Sequence, residues 1–317
     1  MEELPVYLFW GFLESGKTSF IKDTLSQDYF NDGERTMILS FEEGEVEYEQ
    51  EMLDQANAFV IFLDRAEDFT VDYMISCQKN YHPDRVMIEY NGMYPIEPLM
   101  DVIDETSMEL YQFIVTVDAS TVDLYMKNMR SIFVEMFKLA NLVVFNRCDD
   151  KTNVSSYRRS IKAVNPQAQV GFERADGREM EMEEILPYRL DDEVIQIPEE
   201  DYGIWYIDTM ERPQLYDGKV VEFKAQVNRP PKMPKGFIIP GRSAMTCCED
   251  DITFIGYLCR LDKTKSKTLK RVLNKEWVSV TAEIRVEYHP AYGQKAPVLY
   301  AKRIEKAEAP KQELIYF

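Results

Sequence analysis

Histidine occurs twice and cysteine five times among 317 residues. Two histidines leave little reserve for an imidazole-rich metal centre. The cysteines include one adjacent pair, Cys247-Cys248, and no spacing that reads as a disulfide framework, which fits a reducing compartment. No apolar run approaches the ~18 residues that a membrane-crossing helix needs. There is no internal repeat and no low-complexity tract. The opening Met1-Glu2-Glu3 is acidic where a secretory signal is basic. Together these absences predict a soluble, cytoplasmic protein without a membrane span, long enough to bury a core without staples.

Charge is abundant but uneven. Residues 1–200 hold 17 Lys/Arg against 41 Asp/Glu, whereas residues 201–317 hold 20 against 15. The break near residue 200 predicts a domain boundary. An acidic first half also lacks the basic footprint that nucleic acid requires. The basic stretch Lys263, Lys265, Lys267, Lys270 and Arg271 has no interleaved aromatics and reads as a solvated loop. No nucleic-acid partner is expected.

Short apolar runs alternate with helix-like segments in the first half. Val6–Trp10, Thr36–Phe41, Ala58–Leu63, Arg85–Tyr90, Phe113–Val117, Leu142–Phe145 and Ala168–Phe172 read as strands, and Ser120–Leu139 reads as helix. This pattern predicts βαβ units around a mainly parallel sheet. Later the period changes to two: Val221, Phe223, Ala225 and Val227 alternate with Glu222, Lys224 and Gln226. Gly236–Ile239, Ile252–Leu258, Trp277–Val286 and Pro297–Ile304 join this set as further strand candidates. The predicted fold is α/β, a P-loop domain over 1–190. A linker at 191–202 leads to a smaller all-β domain over 203–317, OB-like or a sandwich.

The run Gly11-Phe12-Leu13-Glu14-Ser15-Gly16-Lys17-Thr18 matches the phosphate-loop pattern G-x-x-x-x-G-K-[ST]. It follows an apolar strand and precedes a helix candidate, Ser19–Leu25. Backbone N–H groups of the loop and the helix N-terminus favour an anion. Gly11, Glu14, Ser15, Gly16, Lys17, Thr18 and Ser19 are therefore the candidate phosphate contacts. Lys17 reaches the β- and γ-phosphates, and the Thr18 hydroxyl holds Mg²⁺. Arg85–Glu89 is an apolar strand ending in a carboxylate, followed by Gly92, where such enzymes place an acid for Mg²⁺ or water. A core strand with a solvated end residue is the alternative for Glu89.

Leu142–Asp149 is another apolar strand and ends in Asn146-Arg147-Cys148-Asp149, which looks like the Asn-Lys-x-Asp guanine reader of GTPases with Arg147 for lysine. In order and spacing, the first half resembles the CobW-type family of P-loop GTPases, which are linked to metal delivery and zinc homeostasis. Glu42-Glu43-Gly44-Glu45-Val46 is similar to the family's switch segment. Ile88-Glu89-Tyr90-Asn91-Gly92 resembles its Glu-x-x-Gly element, Val117-Asp118-Ala119 the strand after it, and Asn165-Pro166-Gln167-Ala168 its Asn-Pro-x-Ala turn. The resemblance implies GTP/GDP as ligand, with Asn146, Arg147 and Asp149 at the base, and Thr18 with Glu42 or Glu49 at Mg²⁺. The family's Cys-x-Cys-Cys is missing, since the chain reads Phe-Val-Ile-Phe-Leu-Asp at Phe59–Asp64. The resemblance therefore covers the GTPase scaffold and not that metal site.

Residues 203–317 resemble the C-terminal domain of an uncharacterised bacterial family encoded with predicted permeases, through Asp217-Gly218-Lys219, Gly241-Arg242, Met245-Thr246-Cys247-Cys248 and Trp277-Val278-Ser279-Val280. Cys247 and Cys248 beside Glu249, Asp250 and Asp251 are either Zn²⁺ ligands, with Cys259 and His289 as further candidates, or ordinary buried thiols. Function is expected to be Mg²⁺-dependent GTP binding and hydrolysis, with Lys17 and Glu89 as catalytic residues and a protein partner to be switched. The alternative is a nucleotide-gated binding protein with negligible hydrolysis, whose β-rich domain binds metal or a partner. An ATP-using enzyme remains a third reading if Asn146 and Asp149 do not face a base.

Overall fold

The computed structural model describes residues 3–30, 32–42, 44–180, 186–231, 233–245, 252–261 and 273–317. The chain divides into two compact units, residues 1–154 with 167–182 and residues 155–166 with 183–317.

The first unit contains β1 (Leu4–Gly11), α1 (Lys17–Leu25), β2 (Thr36–Ser40), α2 (Gln50–Gln55), β3 (Ala58–Phe62), α3 (Val71–Tyr81) and β4 (Arg85–Asn91). It continues through α4 (Glu97–Asp104), β5 (Met108–Asp118), α5 (Val122–Asn128), α6 (Arg130–Leu139), β6 (Leu142–Cys148) and β7 (Gln169–Arg174), while α7 (Val154–Val164), between the last two in sequence, belongs to the second unit from residue 155 on. All seven strands pair in parallel in the order β3-β2-β4-β1-β5-β6-β7. The inner strands β2 and β4 are buried along nearly their whole length, as strands covered on both faces must be. Each of the seven apolar runs read as strand is one. The helical stretch 120–139 is two helices, because the backbone leaves helical angles at Met129.

Beneath the sheet Phe9, Ile21, Leu25, Ile38 and Met87 form a core in which α1 seals β1, β2 and β4. Because all strands are parallel, their carboxyl ends lie along one edge. The chain order reverses beside β1, since β2 lies to one side of it and β5 and β6 to the other. In open α/β sheets that reversal marks the ligand crevice.

The second unit holds β8 (Ile195–Gln196), α8 (Tyr202–Glu211), β9 (Val220–Asn228), β10 (Phe237–Met245), β11 (Thr253–Gly256) and β12 (Cys259–Leu261). Two long strands, β13 (Trp277–His289) and β14 (Gln294–Lys306), and the short β15 (Ile315–Tyr316) follow. Strand β9 pairs with both β10 and β13, β10 with β12, β12 with β14 in parallel, and β14 with β13. These pairings close a five-stranded ring, so the β-rich half takes the OB-like form of the two expected and not a two-sheet sandwich. Val221, Phe223, Ala225 and Val227 face its interior with Val278, Val280, Ala282 and Ile284, all at most 2% exposed. From α8, Trp205 packs tilted against Phe223 at 4.6 Å between ring centres and meets Tyr257 edge-on at 5.7 Å.

One buried polar network ties α8 to the turn after it. The Tyr216 hydroxyl donates to Asp208 Oδ2 at 2.5 Å and shares a hydrogen bond of 2.7 Å with the Tyr188 hydroxyl, while Asp208 also pairs with Arg212. Burial and the adjacent carboxylate push the Tyr216 phenol far up, keeping it a donor. Replacing Tyr216 by Phe strands buried partners, so Tyr216→Phe is expected to lower stability by about 1–3 kcal/mol, read as a lower urea midpoint at unchanged m-value.

Candidate functional site

The loop after β1 turns tightly over the start of α1. Gly16 has φ +93°, and a Cβ there would lie 2.2 Å from Asn146 Nδ2, so both conformation and space require glycine. Glu14 also sits in the left-handed region, at φ 59°. Lys17, 2% exposed, donates to the carbonyls of Gly11 at 3.0 Å and Phe12 at 2.8 Å and pairs with the Glu42 carboxylate. Burial raises the Glu42 carboxyl above its usual range, partly offset by the Lys17 charge. Its second oxygen, Oε2, is buried without a hydrogen-bond partner.

Glu89, on β4 and 2% exposed, gathers three hydroxyls. Thr18 donates to Oε1 at 2.5 Å, and Ser40 and Tyr48 each donate to Oε2 at 3.0 Å. The Tyr48 phenol is pushed far up, chiefly by burial and then by Glu89, so it remains a donor. Thr18, Ser40, Glu42, Tyr48 and Glu89 share a cavity of about 390 Å³, whose apolar wall includes Val60 and Phe62 of β3. Hydroxyl and carboxylate oxygens are the ligands that Mg²⁺ takes, and the unpartnered Glu42 oxygen supplies an acceptor, so these residues fit a Mg²⁺–phosphate group.

Around the loop, the Glu14 carboxylate accepts from the Glu45 backbone N–H at 2.7 Å, joining the phosphate loop to the segment that carries Glu42. Asn146 donates from Nδ2 to the Ser15 carbonyl at 2.6 Å, and its Oδ1 is buried without a partner. Arg147, in the left-handed region at φ 53°, donates to the Glu14 carbonyl at 2.8 Å and to Asp118 Oδ2 at 2.6 Å. Asp149 is exposed, and its Oδ1 caps its own turn by accepting from Lys151 N at 2.9 Å and Thr152 Oγ1 at 3.1 Å.

The fold thus brings together Gly11, Glu14, Ser15, Gly16, Lys17, Thr18, Glu42, Glu89, Asn146 and Arg147 at one edge of the sheet. Ser19 lines the crevice beside Thr18. Glu49 stands apart, 64% exposed at the start of α2, where it pairs with Lys22 at 2.6 Å. Ser40 and Tyr48 are site neighbours that pattern reading missed, and Asp118 entered only through the resemblance of Val117-Asp118-Ala119 to a family strand, with no role assigned. Ser40 ends β2, whereas Tyr48, two residues before α2, carried no local signal. Cys247 and Cys248 lie outside the described residues. Cys259 is fully buried in the barrel core, its thiol pushed up to about 12 by burial, while His289 lines a cavity on the outer wall beside Arg260. Adjacent strand residues face opposite ways, so Cys259 and His289 are on opposite sides of the wall. Among the described residues no group of three or more His, Cys, Asp or Glu side chains is arranged to hold a metal ion.

Gly92 donates its N–H to the Gly11 carbonyl at 2.7 Å, and a Cβ on it would lie 2.4 Å from Met136 Cε and 2.9 Å from the Gly11 carbonyl carbon. Backbone on one side cannot yield cheaply. Gly92→Ala is therefore expected to cost about 1–3 kcal/mol, seen as a lower melting temperature, and to weaken ligand binding at the loop through displaced Gly11.

Comparison with known proteins bears on this geometry. Residues 5–172 match the CobW/HypB/UreG nucleotide-binding domain, and residues 172–317 match the DUF1980 C-terminal domain. Zn(II)-bound YjiA GTPase from E. coli is similar in structure, at 21% identity over 54% of this chain and 57% of that one, TM-score 0.42. The hydrogenase maturation factor HypB from Archaeoglobus fulgidus is similar at 15% identity, over 56% of this chain and 84% of that one, TM-score 0.41. HypB from Helicobacter pylori, in complex with nickel, is similar at 15% identity over 55% and 80% of the two chains, TM-score 0.36. The match spans less than two thirds of the YjiA chain. No curated protein matches the sequence. Among the described residues no helix is long and apolar enough to cross a membrane. By the match that covers more than half its length, and with the phosphate loop at the end of its central strand, the chain belongs to the CobW/HypB/UreG nucleotide-binding family.

Proposed function

We propose that the protein is a Mg²⁺-dependent guanine-nucleotide switch that hydrolyses GTP slowly and acts on a protein partner, in metal homeostasis or in partner maturation. The observation that carries this reading is the convergence of Lys17, Thr18, Glu42 and Glu89 on one crevice below the phosphate loop.

In this reading the loop amides and Lys17 bind the phosphates, exchanging the Glu42 carboxylate for phosphate oxygens. Thr18, with Glu42, would hold Mg²⁺, which when bound neutralises charge on the β- and γ-phosphates. Glu89, kept in one orientation by Ser40 and Tyr48, orients water or the Thr18 hydroxyl. Asn146 links the guanine-reading loop to the phosphate loop through Ser15, leaving the exposed Asp149 as acceptor for the guanine edge. Among the described residues Arg147 is the one arginine lining the crevice, and it is held by Asp118 at 2.6 Å, so a partner is the expected source of acceleration.

The Lys17–Glu42 pair also favours a second reading, a nucleotide-gated binding protein with negligible hydrolysis. There, exchange of Glu42 for phosphate is itself the signal, and the β-rich half binds the partner or a metal. Multiple-turnover phosphate release separates the two. More than one phosphate per chain supports the enzyme, and less than one, with candidate partners present, supports the gate.

Calorimetry of GDP and ADP with Mg²⁺ tests the guanine site. GDP is expected to bind at least about tenfold more tightly than ADP, and Lys17→Ala to lose about 100-fold, the scale of a charge-assisted contact worth roughly 3 kcal/mol. Equal binding of the two nucleotides overturns the guanine assignment. A separate variant, Glu42→Gln, frees Lys17 of its competitor. Its GDP affinity in EDTA is expected to rise about 3–10-fold, while the further gain on adding Mg²⁺ shrinks.

A further inference from the structure

The outer wall of the barrel carries a cavity of about 900 Å³. It lies over β12, β14 and β13 and reaches the start of β10, on the face opposite the apolar interior. Arg260, Tyr300 and Glu283 stand in one rung across three strands. Four cations, Lys235, Arg260, Arg285 and Lys302, line it against two carboxylates, Glu283 and Glu287.

Both carboxylates are already engaged. Glu283 accepts from Arg285 at 2.7 Å and pairs with Lys302 at 3.3 Å. Glu287 accepts the Tyr300 hydroxyl on both oxygens, at 2.9 and 3.0 Å. The Tyr300 ring is flanked by two guanidiniums, Arg285 at 4.3 Å and Arg260 at 5.7 Å from its centre. That arrangement fixes two planar forks towards one space. Among the described residues neither Arg260 nor Lys235 has a carboxylate partner, and the described lining holds four cations to two carboxylates. Phe237 and His289, edge to face at 5.6 Å, add ring surface at one end.

We propose that this cavity is a phosphate-recognising site for a nucleotide unit, either free or within a single strand of nucleic acid. Guanidinium forks match phosphate oxygens in pairs, and the aromatic end gives a planar base somewhere to lie. The volume suits a ligand of nucleotide size and exceeds what one inorganic phosphate fills. Its residues belong wholly to the basic half of the chain.

The test uses the full-length chain carrying Lys17→Ala, which silences the phosphate loop. A fluorescein-labelled strand of twelve thymidines, ATP, and tripolyphosphate are titrated separately, with anisotropy and competition as readouts. Saturable binding is expected, weakened at least about tenfold by Arg260→Ala and again by Lys235→Ala. Both side chains are exposed, and an unchanged circular dichroism spectrum would establish that the variants fold. With two cations lacking a described carboxylate partner, strand affinity should fall about sevenfold between 50 and 200 mM salt. ATP that displaces the strand identifies a free nucleotide as the ligand, and a strand that ATP does not displace identifies single-stranded nucleic acid. Tripolyphosphate binding as tightly as either means that the rings contribute nothing and overturns the nucleotide assignment. Absence of binding at 50 mM salt, or binding that neither variant weakens, overturns the site itself.

Discussion

A buried ammonium governs the first half of this molecule. Lys17 is 2% exposed, and a charge taken that far from water costs several kcal/mol unless other groups replace its solvation. Two carbonyls of its own loop supply part of that replacement, and the Glu42 carboxylate supplies the rest. The loop, the end of β1 and the segment after β2 are thereby held as one piece. Any anion that binds the loop competes with Glu42 for the same nitrogen. The Lys17–Glu42 contact is therefore the point at which the loop and the segment after β2 are joined.

The second carboxylate is held in the opposite manner. Glu89 has no cation beside it and is stabilised by three hydroxyl donors from three different elements, Thr18 of α1, Ser40 of β2 and Tyr48 after it. Glu89 can therefore keep its position when a ligand displaces Glu42 from Lys17. One acid is paired with a cation and the other with hydroxyls. The parallel sheet makes the division workable, since it puts the ends of β1, β2, β4, β5 and β6 along a single edge.

The parts legible in the sequence were those encoded locally. Gly11–Thr18 names its own function because the loop must turn in a few residues and Gly16 must take a positive φ. The seven apolar runs named the parallel sheet because central strands are buried on both faces. Alternation from Val220 to Val227 likewise announced a half-buried strand. Ring closure was not legible, because it depends on the three-residue β12 meeting β14, and three residues carry no period. The Glu14–Glu45 and Arg147–Asp118 contacts were equally hidden, since each joins positions about 30 residues apart through the end of a side chain. Glu49 shows the converse: the family resemblance pointed it to the Mg²⁺ site, yet it stands at the start of α2, exposed and paired with Lys22.

The wall opposite the two carboxylates limits what chemistry the crevice can support. Where the family resemblance leads one to look for thiolates, this chain carries Phe59, Val60, Ile61 and Phe62 on β3, and Val60 and Phe62 line the cavity shared by Glu42 and Glu89. Apolar side chains lower the local polarity and penalise unpaired carboxylate charge, which is why Glu42 is harder to ionise than a free glutamate. The same penalty makes a bound cation more valuable there than it would be in water. The described donors around the cavity are oxygens of Thr18, Ser40, Glu42, Tyr48 and Glu89, with no sulfur among them. Such a donor set discriminates for hard cations and against soft ones. The described lining of this cavity therefore combines oxygen donors with hydrocarbon from Val60 and Phe62.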